Sequence, residues 1–131
     1  MSNVETEKEI YAAFGRGEID AILDRLDKNV EWETTTSVEG VPWHQPRRGR
    51  ENVRGFFEAL SPLQFNRFDP NTFFETGDKV FVLVDMDITS QGKPYLFPLE
   101  GRLWQFNAAG KVVKHDHVTD TAQHWRMVSG R

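Results

Sequence analysis

The stretch KVFVLVDMDIT, residues 79–89, constrains this chain more tightly than any other. Val80, Val82, Val84, Met86 and Ile88 alternate there with Phe81, Leu83, Asp85 and Asp87. Successive side chains on a β-strand point to opposite faces, so the spacing predicts one purely apolar face and one mixed face. The apolar face needs a cover, and the preceding residues supply candidates. Residues 5–14 predict a helix with Ile10, Ala13 and Phe14 on one side, stopped by the GRG at Gly15 to Gly17. Ile19, Ile22, Leu23 and Leu26 then fall at helical spacing, and Val53, Phe56, Phe57 and Leu60 do so again in a third helix. Between them VEWETT reads as a short strand, with Val30, Trp32 and Thr34 on one face and Glu31, Glu33 and Thr35 on the other; residues 36–50 read as a loop. Beyond Pro62 the pattern switches to period two. Strands are predicted near 64–75, 79–89, 94–106 and 111–119, separated by TGDK, SQGK and NAAG turns. Helices first and a meander afterwards means α+β.

Composition bears on partners. The 131 residues are expected to form a single domain, 1–131. A net charge of −4 argues against binding nucleic acid, which depends on neutralising phosphates. No cysteine is present, no apolar run approaches a membrane span, and MSNVETEKE is too polar for a signal peptide, so a cytoplasmic protein is expected. Phe81 and Leu83 on the mixed face predict a homodimer through the outer face of the sheet.

Three segments resemble a known family. IYAAFGRGEIDAILDRLDKNVEWE is similar to the first two helices and first strand of the nuclear transport factor 2-like (NTF2-like) superfamily, in its ketosteroid isomerase and SnoaL-like polyketide cyclase branch. PRRGRENVRGFFEAL resembles that branch's loop and third helix, and WQFNAAGKVVKHDHVTD its last hairpin. The resemblance implies a cone-shaped fold, three N-terminal helices packed on a strongly curved antiparallel sheet, holding a small apolar or weakly anionic ligand. It also implies what is missing. The positions of the isomerase's tyrosine, base and second acid fall on Ile10, Thr34 and Arg102, so a true ketosteroid isomerase is not expected.

The same resemblance turns His115, His117 and Thr119 into the cone and Lys114, Asp116 and Val118 outward. The cavity is then expected to be lined by Trp32, Thr34, Phe56, Phe57, Val84, Met86, Arg102, Trp104, His115 and His117, with His44 at its mouth. Arg102 stays charged when buried and suits a substrate carboxylate, carbonyl or enolate; a structural pair with Glu100 is the alternative. His117 and His115 are candidate general acid and base, since imidazole titrates near neutrality; core histidines are the alternative. Asp116 becomes a candidate base only if the strand register slips by one. His-x-His with His44 has the spacing of a metal set, but a neighbouring arginine opposes a cation, and no metal or other cofactor is expected. The expected function is isomerisation, cyclisation or dehydration of an apolar carbonyl compound by acid–base chemistry; the alternative is a non-catalytic ligand-binding or dimeric interaction domain of the same fold.

Overall fold

A computed structural model describes residues 2–130. Helix α1, Asn3–Gly15, starts at a reciprocal cap: the Ser2 hydroxyl accepts from the Glu5 N–H at 3.1 Å, and the Glu5 carboxylate accepts from the Ser2 N–H at 3.5 Å. Helix α2, Ile19–Leu23, is shorter than the spacing predicted, because Leu26 already belongs to strand β1, Leu26–Trp32. A 3₁₀ turn at Pro42–His44 and the short strand β2, Arg47–Arg48, lead to α3, Arg50–Ala59. Gly49 precedes α3 at φ 90°, a left-handed conformation natural only to glycine. Strands β3, Gln64–Thr76, β4, Lys79–Ser90, β5, Lys93–Phe106, and β6, Val112–Val118, follow.

The predicted meander stands, with two corrections. The sheet is mixed: its order is β2-β1-β6-β5-β4-β3, and β1 runs parallel to β6 while the other pairs are antiparallel. A fourth helix, α4, Thr121–Ser129, closes the chain after β6, with the Asp120 carboxylate accepting from the Gln123 N–H at its start. Register shifts interrupt the β3–β4, β4–β5 and β5–β6 ladders, and such bulges bend strands. The bent sheet and the helices against it make the expected cone.

The alternation in β4 is realised as read. Val80, Val82, Val84, Met86 and Ile88 are buried, and Phe81, Leu83, Asp85 and Asp87 are half-buried on the other face. The buried row packs with Ile10 and Ala13 of α1, Val53 and Phe56 of α3, and Trp32 and Trp104 in one core. That face positions the site.

Candidate active site

The interior holds an unusual charge for an apolar core. Glu33, one residue past the end of β1, has 0% exposure. Strict alternation turns it outward, but its φ of 61° swings it inward. A left-handed non-glycine residue costs about 1–3 kcal/mol and persists only where its surroundings hold it. Here they do. The carboxylate accepts from the Thr36 hydroxyl at 3.0 Å and the His117 N–H at 3.3 Å, and faces His44 Nδ1 at 3.4 Å. His117 Nδ1 makes a short hydrogen bond to Oε1. His115 Nδ1 lies 3.1 Å from the same oxygen, off the hydrogen-bond axis.

Three imidazoles thus surround one carboxylate. Burial pushes Glu33 up, but the His117 imidazole, the close approach of His115 and the hydrogen bonds from His117 and His44 outweigh it and hold the carboxyl well below the usual range. Burial lowers both His115 and His117; for His117 the Arg102 charge lowers it further, against the pull of Glu33. An ionised Glu33 facing His115 and His117 imidazoles that burial drives toward their neutral forms follows. Because Nδ1 of His117 gives its proton to Glu33, Nε2 keeps its lone pair and can accept a proton.

Glu33, His44 and His117 also bring one potential ligand atom each to within 4.8 Å of one another, a two-histidine, one-carboxylate set. The carboxylate already stands at the point on which the Nδ1 atoms converge, so protons link these groups in the present geometry.

Beside this cage lies a second one. Arg102 pairs in register with His117 across β5 and β6. Its Nε is 3.9 Å from Glu100 Oε1, its Nη2 meets only the Met86 sulfur at 3.9 Å, and its guanidinium carbon lies 5.6 Å from the centre of the Phe68 ring. Glu100 is engaged more closely by others. It accepts from the Thr119 hydroxyl, and His124 Nε2 lies 3.3 Å from it. His124 Nδ1 accepts from Trp43 Nε1 at 2.8 Å, which leaves the imidazole proton on Nε2, facing Glu100. Burial raises Glu100, but the hydrogen bond and charge of His124, then the charge of Arg102, bring it to about 2. The expected Arg102–Glu100 pair is therefore present but long, and Arg102 retains capacity for another anion.

Several expected positions are revised. Thr34 does not line the cone; its hydroxyl donates to Glu31 at 3.2 Å and accepts from Lys114 at 3.1 Å. The left-handed turn at Glu33 exchanges the two residues. His44 is not at the mouth but fully buried, its ring centre 4.8 Å from that of His117 and 4.7 Å from that of His124. The register does not slip: Leu103 pairs with Asp116 and Arg102 with His117. Asp116 stays on the outer face, where its carboxylate accepts from the Thr35 and Thr36 N–H groups at 3.1 and 3.3 Å and from the Thr36 hydroxyl at 3.1 Å. It clamps the turn that presents Glu33. Thr119 contacts Glu100 and His124, while Val84 and Met86 are core residues.

Trp32, Phe56, Phe57, Arg102 and Trp104 do share a small pocket, of about 30 Å³, which His115 and His117 do not line. Sequence reasoning missed Glu33 and His124, and it missed Glu7 and Tyr11 inside the cone. Tyr11 accepts a hydrogen bond from Trp104 Nε1 at 3.1 Å, and burial raises its phenol. Glu7 is fully buried with neither carboxylate oxygen bonded; burial raises it well above the usual range, against the lowering charge of Arg102. The two lie one helical turn apart on α1, a spacing that puts Glu7 on the same face as Ile10 and Tyr11.

Solved structures share this architecture. An NTF2-like protein of unknown function from Burkholderia pseudomallei K96243 is 26% identical, with a TM-score of 0.84 over 98% of this chain and 99% of that one. TerC, crystallised with polyporic acid, is 24% identical, with a TM-score of 0.81 over 97% of this chain and 98% of its own. A protein from Pseudomonas putida KT2440, provisionally described as a polyketide cyclase, is 17% identical, with a TM-score of 0.77 over 98% of each chain. No curated protein matches the chain by sequence. The model of the SnoaL-like domain matches residues 8–129, nearly the whole chain, and the protein belongs to that family.

Proposed function

We propose that this SnoaL-like protein is an isomerase, cyclase or dehydratase that moves a proton on a small apolar carbonyl compound. The observation that carries the reading is the Glu33–His117 pair beside Arg102. A carboxylate on Nδ1 fixes the imidazole tautomer and supports the charge that Nε2 acquires. In the step we envisage, His117 Nε2 takes the proton from the carbon next to the carbonyl. The C–H electron pair becomes the carbon–carbon π bond, the carbonyl π pair moves to the oxygen, and Arg102 stabilises the resulting enolate. Return of the proton at another carbon gives isomerisation; attack of the enolate on a second carbonyl closes a ring. The base is an imidazole and an arginine stands where the ketosteroid isomerase places its second acid, so steroid isomerisation is not proposed.

A second reading, ligand binding or dimeric interaction without turnover, draws on the small size of the pocket that Arg102 lines. The outer sheet face supports a homodimer in either case: Leu99 is 74% and Val118 51% exposed there, beside the half-buried Leu103.

Deuterium exchange at the carbons flanking the ketone of β-tetralone, followed by NMR in D₂O, separates the readings. Exchange faster than buffer, falling about 10²–10⁴-fold in His117→Gln, supports the base. Exchange at the buffer rate, or exchange indifferent to His117, removes the catalytic reading.

A further inference from the structure

A groove of about 610 Å³ lies between α1 and β3, within the roughly 300–1,000 Å³ of small-molecule sites. Five aromatic rings line it: Tyr11 and Phe14 from α1, and Phe65, Phe68 and Phe73 from β3. Phe68 is the centre of this set, with ring centres 5.0 Å from Phe14, 5.8 Å from Tyr11 and 5.8 Å from Phe65. It is also a wall of the small pocket, which shares Tyr11, Phe14, Phe65 and Phe68 with the groove and adds Arg102 and Trp104 behind them. One ring therefore lines the groove and also has a guanidinium over it, 5.6 Å from its centre.

Charge is distributed to match. Lys8 stands at the rim, its ammonium 5.4 Å from the centre of the Phe73 ring. Arg102 stands at the inner end, with Nε unbonded and its nearest carboxylate at 3.9 Å. Glu7, also buried, is pushed toward its neutral form by burial and so does not cancel that charge. A buried cation held by one long ion pair, with Nε free of a hydrogen bond, can still take up an anion that reaches it.

We propose that the substrate is a planar aromatic acid that enters through the groove between α1 and β3, and that Phe68 is the partition it displaces to bring its anionic group to Arg102. The inference rests on the proposed acid–base reading for its chemistry, but not for its binding. A flat ring gains edge and offset contacts with the five aromatic side chains that an aliphatic chain does not. An anionic group gains Lys8 in passing and Arg102 at the end, which a neutral group does not.

Calorimetric titration of the intact protein with three probes of similar apolar size tests both halves: naphthoate, naphthylmethanol and decanoate. Naphthoate should bind at least about tenfold more tightly than either of the others. Arg102→Met should remove that advantage over naphthylmethanol. Phe68→Ala should speed naphthoate association in stopped-flow measurements of tryptophan fluorescence. Equal affinity for naphthoate and naphthylmethanol in the wild-type protein overturns the anionic assignment, and equal affinity for naphthoate and decanoate overturns the aromatic one, with no variant required. The same titration in His117→Gln distinguishes the two levels. Selective binding retained there, with no β-tetralone exchange in the wild type, means that the substrate class stands and the catalytic reading has failed. Exchange without selectivity means the reverse.

Discussion

Glu33 carries its negative charge with no solvent contact, and three imidazoles make that tolerable. The pH response follows from the shifts. His115, His117 and His124 are all lowered in the folded state, burial being the largest cause of each. The unfolded chain therefore binds more protons below about pH 6.5, so stability is complete above that value and declines as pH falls toward the folded-state values. Glu33 and Glu100, also lowered, add a further loss below about pH 4.5, as each falls toward its folded value. Urea midpoints should hold steady from pH 8 to about 7 and fall through about 6 and 5. A midpoint flat down to about pH 5 would mean the imidazoles are not held neutral. Glu7 has the opposite sign: its raised folded value favours folding only below about pH 4.5 and costs stability as pH rises. Glu7→Met should therefore stabilise the protein at pH 7, by about 1–3 kcal/mol in urea unfolding, since a buried carboxyl without partners is removed. Loss of stability would instead reveal a partner for Glu7.

At the scale of elements, the link from β1 to the 34–36 turn decides the site. The Glu33 N–H donates to the His115 carbonyl at 2.8 Å, which carries the β1–β6 pairing one residue past the strand. Asp116 then anchors the turn from the other face. Asp116→Ala leaves the Thr35 and Thr36 donors without their acceptor and should cost about 1–3 kcal/mol. It should also slow β-tetralone exchange, because Glu33 loses its mounting while His117 is untouched. Unchanged stability would show that water replaces Asp116. Gly101 on β5 is similarly constrained: an added Cβ would stand 2.7 Å from the Val118 carbonyl oxygen and 2.8 Å from Phe81 Cζ. Gly101→Ala should destabilise by about 1–3 kcal/mol, read from the same unfolding curves.

For the whole molecule, the cone holds a cluster of charged and imidazole groups within an apolar interior, and exposes apolar residues on its outer strands. Leu96, Leu99, Phe74 and Val118 are exposed large apolar residues, and the last strands supply three of them. Sedimentation equilibrium at micromolar concentration should report a homodimer, and Leu99→Lys with Val118→Lys should give monomer. A wild-type monomer leaves that face for another partner. No helix among the described residues is long and apolar enough to cross a membrane.

The order of helices and strands was legible in the sequence because it rests on local periodicity: 3.6 in the helices and two in β3 to β6. The inward rows of β4, and His115 and His117 on one face of β6, followed from that periodicity and from the resemblance. The parallel pairing of β1 with β6 did not, because it joins segments far apart in sequence. Helix α4 escaped because its face is short and interrupted by polar residues, two of its buried side chains being His124 and Met127. Glu33 could not be read at all. Alternation places it outside, and only the enclosing His44, His115, His117 and Thr36, drawn from three separate parts of the chain, make a left-handed glutamate at the end of a strand stable. Local pattern thus determined the elements and their faces, whereas the charge at the centre of the cone was decided by tertiary structure, because a buried carboxylate exists only where distant donors converge on it.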